Sequence, residues 1–273
     1  AGFPEMGIGG AAIASVISMV FSSIAFLYLF WRSPDHARFQ TRDFRPDRDL
    51  FRRLLKYGVP NGLQFVQAVF AFTLFIFLVG KMGVLELAAT NITFNINTLS
   101  FMPMVGMSIA VSTLVGQRLG ENNPALARRT TYSTFQLAFL YFGTLSCFYV
   151  LLPELFIWPF SLKADPAEFA PLSEMVTIML KFVAVFGVFD SGNVMFSGAI
   201  KGAGDTRYVA YVTVILSISL MLIPSWMVVN IFEGNVYWLW GAVTSYIAGL
   251  CISFWLRFRH GKWEKMRVIE QST

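Results

Sequence analysis

The sequence predicts an all-α, polytopic membrane protein with seven transmembrane helices, and three observations predict it. Of the 273 residues, 56% are hydrophobic and only 14% charged, whereas a soluble domain carries roughly 25% charged residues. A soluble globule of this length has no interior large enough to hide that much apolar surface. The charges cluster, and seven long apolar runs lie between the clusters. None of the runs alternates with a period of two, so none reads as a barrel strand, and in lipid a helix then satisfies its own backbone. The same composition, with two cysteines, excludes a disordered chain, a disulfide-stapled scaffold and a nucleic-acid module.

The uncharged runs are Met6–Trp31, Tyr57–Gly80, Leu87–Gln117, Thr130–Pro153, Tyr208–Phe232 and Gly234–Leu256, while Met175–Ile200 contains only Lys181 and Asp190. Together they hold 179 residues, and each exceeds the roughly 20 apolar residues that a spanning helix needs. Lysine and arginine set the orientation. The first connection carries eight of them between Arg32 and Lys56. Arg118, Arg128 and Arg129 follow in the third connection, Lys201 and Arg207 in the fifth, and Arg257, Arg259, Lys262, Lys265 and Arg267 at the end. That places 18 of the 21 basic residues on one face, the cytoplasmic one of a bacterial inner membrane. The net charge of +5 is thus topology and attraction to anionic lipid, with the bilayer as partner and no nucleic acid.

With the carboxyl terminus inside, the amino terminus falls outside, yet the first run has no basic n-region and no cleavage-site pattern. It reads as the last helix of a missing amino-terminal lobe. Residues 1–32 are then an orphan transmembrane helix and 33–56 a charged cytoplasmic inter-lobe linker. Residues 57–258 form a six-helix lobe and 259–273 a basic cytoplasmic tail. Asp47–Lys56 is expected to lie on the membrane surface as an amphipathic helix. Cys147 and Cys251 read as small hydrophobes, and His36 and His260 as solvated loop residues.

Ionisable groups inside spans are functional candidates, because each costs about 2.5–3.5 kcal/mol at a helix centre. Lys181 is about two turns from the outer end of its helix and can snorkel. Asp190 is about 12 Å from Gly198 along the helix and cannot. It must face a cavity, pair with a partner or hold a proton. Phe186, Asn193 and Ser197 share its face at i−4, i+3 and i+7. Gln64 and Gln67, the latter about 15 Å deep, and the stripe Asn91, Asn95 and Thr98 reach similar depth on two other helices. These residues suit a hydrated pocket for a proton or a small cation; interhelical amide hydrogen bonds would use the same groups.

Pro103 lies within the longest run and Pro224 within the sixth, and both are expected to kink their helices, as in alternating-access transporters. The turn Gly198–Arg207 has the glycines of a phosphate loop. It lacks the Gly-Lys-Ser/Thr ending and follows no strand, so it reads as a helix–turn–helix connection with Asp205 or Thr206 as the cap. Gly116–Pro124 reads the same way, with Asn122, Asn123 and Pro124 as turn residues.

Three spaced motifs carry a resemblance. They are Gly58-Val59-Pro60-Asn61-Gly62-Leu63-Gln64; Ala88-Ala89-Thr90-Asn91-Ile92 through Phe101-Met102-Pro103-Met104-Val105-Gly106 to Val115-Gly116-Gln117-Arg118-Leu119-Gly120; and Phe189-Asp190 through Ser197-Gly198-Ala199-Ile200 to Lys201-Gly202-Ala203-Gly204-Asp205-Thr206-Arg207. In order, they resemble the carboxyl-terminal lobe of the MATE (multidrug and toxic compound extrusion) transporters. The resemblance implies twelve helices in two lobes, of which this chain matches helices six to twelve. It implies export of small organic cations against protons or sodium, with neither enzyme activity nor a bound cofactor. By it, Asp190 falls on the acidic cation-coupling residue and Phe186 on its neighbour one turn back; Asp190 is a metal ligand only if the coupling ion is Na+. Sodium-coupled relatives carry a glutamate at the position of Ala68, and its absence here favours H+. Two alternatives stay open: a lipid-linked oligosaccharide flippase of the same fold, and a seven-helix receptor or photoreceptor with Lys181 as the Schiff-base lysine.

Overall fold

The computed structural model describes residues 7–32, 47–162 and 165–266. The helices are α1 (Gly7–Arg32), α2 (Arg48–Met82), α3 (Val84–Gly120), α4 (Pro124–Leu151), the short α5 (Pro153–Ser161), α6 (Pro166–Gly202), α7 (Thr206–Leu216), α8 (Ile223–Asn230) and α9 (Val236–Arg259). A π-helical turn, Ser217–Leu222, joins α7 to α8, and a 3-10 turn, Lys262–Lys265, follows α9. Among the described residues seven segments are long and apolar enough to cross a membrane. They coincide with the seven expected runs, so the protein is an all-α polytopic membrane protein.

Local chemistry sets the helix ends. The Asp47 carboxylate accepts from the backbone N–H groups of Asp49 (2.8 Å) and Leu50 (3.0 Å) at the start of α2. Asn123 accepts from the Leu126 N–H at 3.1 Å, with Pro124 as the first residue of α4. Asp165 accepts from the Ala167 N–H at 2.9 Å before Pro166. In each case an oxygen side chain satisfies an N–H that has no intrahelical partner, and after Asn123 and Asp165 a proline follows where its missing N–H costs nothing.

One expectation changes. Residues 48–56 are not a separate surface helix but the first turns of α2, which continues to Met82. Asp47 starts the helix and no glycine or proline intervenes before Gly58, so nothing ends it at the membrane edge. The start of the basic tail packs back on the last helix. Gly261, at φ 73°, turns the chain, and Trp263 is fully buried, stacked on Phe258 at 4.8 Å. Its indole N–H donates to the Phe258 carbonyl at 2.7 Å, and Arg128 pairs with Glu264. His36 and Arg267 lie outside the described residues, whereas His260 is exposed.

The chain divides into two units, Ala1–Arg52 and Arg53–Thr273. In the first, α1 buries none of its apolar stretch, and Phe21, Phe26 and Trp31 stand open on it. In the second, α6 is the axis and packs against α3, α4 and α9. Small residues make that packing close, as membrane helices require where lipid removes the hydrophobic drive. A Cβ on Gly202 would stand 2.2 Å from the Ser112 carbonyl oxygen, and one on Gly198 2.7 Å from Ser108 Oγ. Polar bonds lock the same helices: Ser108 donates to the Val194 carbonyl (3.1 Å) and Ser146 to the Ala184 carbonyl (2.9 Å).

The prolines behave differently. α3 continues through Pro103 from Val84 to Gly120, and Tyr141 donates to the Ser100 carbonyl, a turn before it, at 3.0 Å. Pro224 is the second residue of α8, which follows the π turn directly. The irregularity expected at Pro224 therefore lies just before it, where a wider turn absorbs the missing donor. At the opposite side of the molecule's chemistry, Arg257 places Nε and Nη2 at 2.9 and 2.7 Å from Asp205 Oδ2 and sits 4.4 Å over the Tyr208 ring. That pair and Arg128–Glu264 join the arginine-bearing connections into one basic end of the bundle.

Candidate functional site

A cavity of about 480 Å³ opens within the second unit, walled by α2, α3, α6, α7 and α9. Asp190 stands on its wall with only 8% of its surface exposed. α6 brings Phe186, Asn193 and Ser197 to the same wall, the face that the i−4, i+3, i+7 spacing assigns. Asn193 Nδ2 donates to Asp190 Oδ1 at 2.7 Å. No ion pair among the described residues involves Asp190, and no lysine or arginine lines the cavity. The structure therefore answers the choice posed by a buried carboxylate: this one faces a cavity and lacks a basic partner.

The neighbouring amides are fixed by the hydroxyls they meet. Thr213 donates its hydroxyl proton to the Val209 carbonyl at 2.8 Å, so toward Gln64 it can only accept, and Gln64 Nε2 donates to it at 3.2 Å. The Gln64 carbonyl oxygen is left buried without a partner. Ser217 likewise donates to the Val214 carbonyl at 2.9 Å and accepts from Gln67 Nε2 at 2.6 Å, leaving Gln67 Oε1 unpartnered. Asn97 Oδ1, on the cavity wall, is a third buried oxygen without a donor. A buried acceptor left unsatisfied costs about 1–3 kcal/mol. A ligand that brings N–H groups, O–H groups or positive charge recovers that cost, and an anion does not.

The rest of the wall is aromatic: Phe72, Phe94, Phe101, Phe186 and Tyr246. Behind it Trp240, fully buried, stacks on Phe94 at 5.1 Å and on Phe186 at 6.3 Å. Phe72 meets Phe94 edge-on at 5.8 Å. Ring faces held in place next to a carboxylate attract organic cations by electrostatics and by contact.

Of the residues singled out from sequence, Asp190, Phe186, Asn193, Ser197, Gln64 and Thr98 line this cavity. Gln67, Asn91 and Asn95 do not. Gln67 turns to Ser217. Asn95 is exposed and donates to the Asn91 carbonyl at 2.9 Å, one position round the helix from the cavity-facing Phe94. Asn91 shares the phase of Phe94 and Thr98 but lies about 10 Å further along the axis from Thr98. Asn97, Thr213 and Tyr246 complete the site without having been anticipated. Asn97 carried a signal, a third amide in the same helix; Thr213 and Tyr246, in otherwise apolar runs, carried none. Among the described residues no group of three or more His, Cys, Asp or Glu side chains is assembled. For Na+, Asp190 offers the only carboxylate of the cavity, beside the neutral oxygens of Gln64 and Asn97. Lys181 is exposed, away from this wall.

Comparison with known proteins places this fold. "Probable multidrug resistance protein NorM" of Brucella suis is 30% identical over 76% of this chain and 44% of its own length. Its namesake in Thermotoga maritima is 27% identical over 98% of this chain and 56% of its own length. The chain thus spans about half the length of the curated relatives it matches. A solved outward-facing multidrug resistance MATE family transporter superposes with a TM-score of 0.81 over 96% of this chain and 58% of its own, at 20% identity. A MOP superfamily transporter from Pyrococcus furiosus gives the same values. The family model MatE matches residues 60–227, more than half of the chain and the whole cavity wall except its α9 side. The chain therefore belongs to the MatE family, a family of membrane transporters rather than enzymes.

Proposed function

We propose that this chain forms the coupling half of a multidrug efflux antiporter that exports small organic cations in exchange for protons. A second, amino-terminal lobe completes the transporter, a reading supported by relatives about twice as long. It would lie in a bacterial inner membrane with its basic end, and so its carboxyl terminus, in the cytoplasm.

One observation carries the reading. A buried carboxylate without a basic partner stands on the wall of an aromatic cavity whose other unpaired polar atoms are oxygens. Charged Asp190 attracts a cationic drug; a proton on Asp190 removes that attraction and releases the drug. Occupancy by one or the other, together with the access state it favours, gives exchange. The single carboxylate favours a proton over sodium, which prefers several oxygen ligands at once. The absence of a cationic residue from the wall speaks against a diphosphate-bearing flippase substrate.

The test is Asp190→Asn in the full-length transporter. Drug-driven proton release from everted vesicles should fall to the level of vesicles without transporter, while the protein accumulates and purifies as the unaltered one does. Wild-type exchange by that variant would remove Asp190 from the mechanism. Replacing Na+ by choline should leave exchange unchanged, and a strict Na+ requirement would replace the coupling ion.

A further inference from the structure

We infer that the hollow at the basic end, between the start of α2 and the turn before α7, is a binding site for a phosphate-class oxyanion, carried by a phospholipid headgroup or by free phosphate. The hollow has a volume of about 350 Å³. Lys56, Tyr57, Thr206, Arg207 and Met266 line it, together with the turn 203–205. It is separate from the Asp190 cavity and shares no lining residue with it.

Three observations point to such a ligand. The first is an uncapped helix start. Asp205 occupies the N-cap position of α7, where sequence predicts a cap, but its side chain makes no capping hydrogen bond. Arg257 draws that carboxylate away, with Nε and Nη2 at 2.9 and 2.7 Å. The first N–H groups of α7 are thus left without the usual side-chain acceptor, at the positive end of the helix dipole, where an oxyanion fits. The second is the Thr206 hydroxyl. Thr206 is 7% exposed and its Oγ1 is buried with no hydrogen-bond partner. A hydroxyl left in that state at the wall of a hollow needs an acceptor for its proton. The third is charge. Lys56 and Arg207 both line the hollow, and neither joins an ion pair among the described residues. The one carboxylate at the wall is Asp205, whose charge Arg257 already offsets.

Gly204, at φ 93°, makes the turn that brings the α7 start beside α2. The arrangement is not a nucleotide loop, since helix precedes it and no Lys-Ser/Thr pair follows. It requires only one oxyanion, met by backbone N–H groups, one hydroxyl and two cations. Its place where α2 and α7 pass from charged to apolar sequence is the depth at which lipid phosphates lie.

The purified full-length protein in detergent is titrated separately with short-chain phosphatidylglycerol and with inorganic phosphate, and the unfolding midpoint is read at each concentration. Phosphatidylglycerol should raise the midpoint saturably. The double variant Lys56→Gln/Arg207→Gln should weaken that response about tenfold or more, and Thr206→Val several-fold, as loss of charge-assisted and neutral hydrogen bonds predicts. Lys262→Gln, an exposed charge at the same end, should change it less than twofold. A matching response to inorganic phosphate assigns the site to the oxyanion itself; a response to phosphatidylglycerol with none to inorganic phosphate assigns it to the lipid. No saturable response to either probe overturns the site. So does an unchanged response in the double variant, or an equal loss in Lys262→Gln. Should the double variant fail to fold, a photoreactive phosphatidylglycerol on the unaltered chain should label peptides containing Tyr57 and Ala203–Arg207. Labelling confined to other peptides overturns the site as well.

Discussion

Asp190 and Asp205 are almost equally buried, at 8% and 7% exposed, but their surroundings differ in kind. Asp205 receives a two-donor grip from Arg257, whose own side chain is mostly covered. Asp190 receives one amide N–H from Asn193 and otherwise faces a cavity. The first carboxylate is fastened, and its charge is spent within the fold. The second, on the function proposed above, is left for an ion or drug that comes and goes. Burial is the same for both; what separates them is the resident cation that Asp205 has among the described residues.

Four substitutions break or sharpen that contrast. The largest effect belongs to Asp190→Asn in the full-length protein, with exchange lost to background and the detergent-solubilised unfolding midpoint unchanged or raised, because a neutral amide is cheaper to bury than a carboxylate. Arg257→Gln should do the reverse. It strands Asp205 and lowers stability by about 3 kcal/mol, measured by chemical unfolding, while drug binding at the distant cavity persists. Gly202→Ala comes next. Its new methyl group meets a backbone carbonyl that cannot step aside, costing about 1–3 kcal/mol of packing with both aspartates untouched. It therefore tests whether the α3–α6 seam, rather than charge, holds the two sites in register. Thr213→Val is the smallest. It removes the acceptor for Gln64 Nε2 at a cost of about 1 kcal/mol and lets the amide turn, so that drug affinity measured by fluorescence quenching falls only a few-fold.

The span count and the burial of Asp190 beside a cavity were legible because both follow from free energies that sequence displays directly: apolar length against bilayer thickness, and a charge where none can snorkel. Phe186, Asn193 and Ser197 followed from helical spacing on the same element. The phase of α3 did not. Asn91, Asn95 and Asn97 all lie in one apolar helix, and with lipid outside and protein inside both apolar, nothing in the pattern says which amide turns inward. Asn97 does and Asn95 does not. Gln67 met Ser217 instead of the cavity, a partner fixed only when α2 packs beside the π turn. The capping role expected of Asp205 failed for a similar reason, since Arg257 is 52 residues away in sequence. The Trp263 stack lay in a stretch whose basic charge disguised one aromatic anchor.

The π turn Ser217–Leu222 holds one residue more than an α-helical path of the same rise would need. Beyond it, every side chain of α8 is rotated by about 100° from where an unbroken helix would put it. Ser225 is fully buried and Trp226 half open as a result. Wound instead as an unbroken α-helix, the same residues would carry the Ser225 hydroxyl round to the open position that the Trp226 indole now holds, whereas deleting one residue of the turn would leave the phase of α8 unchanged. The wide turn thus sets which face the end of this span shows to its surroundings.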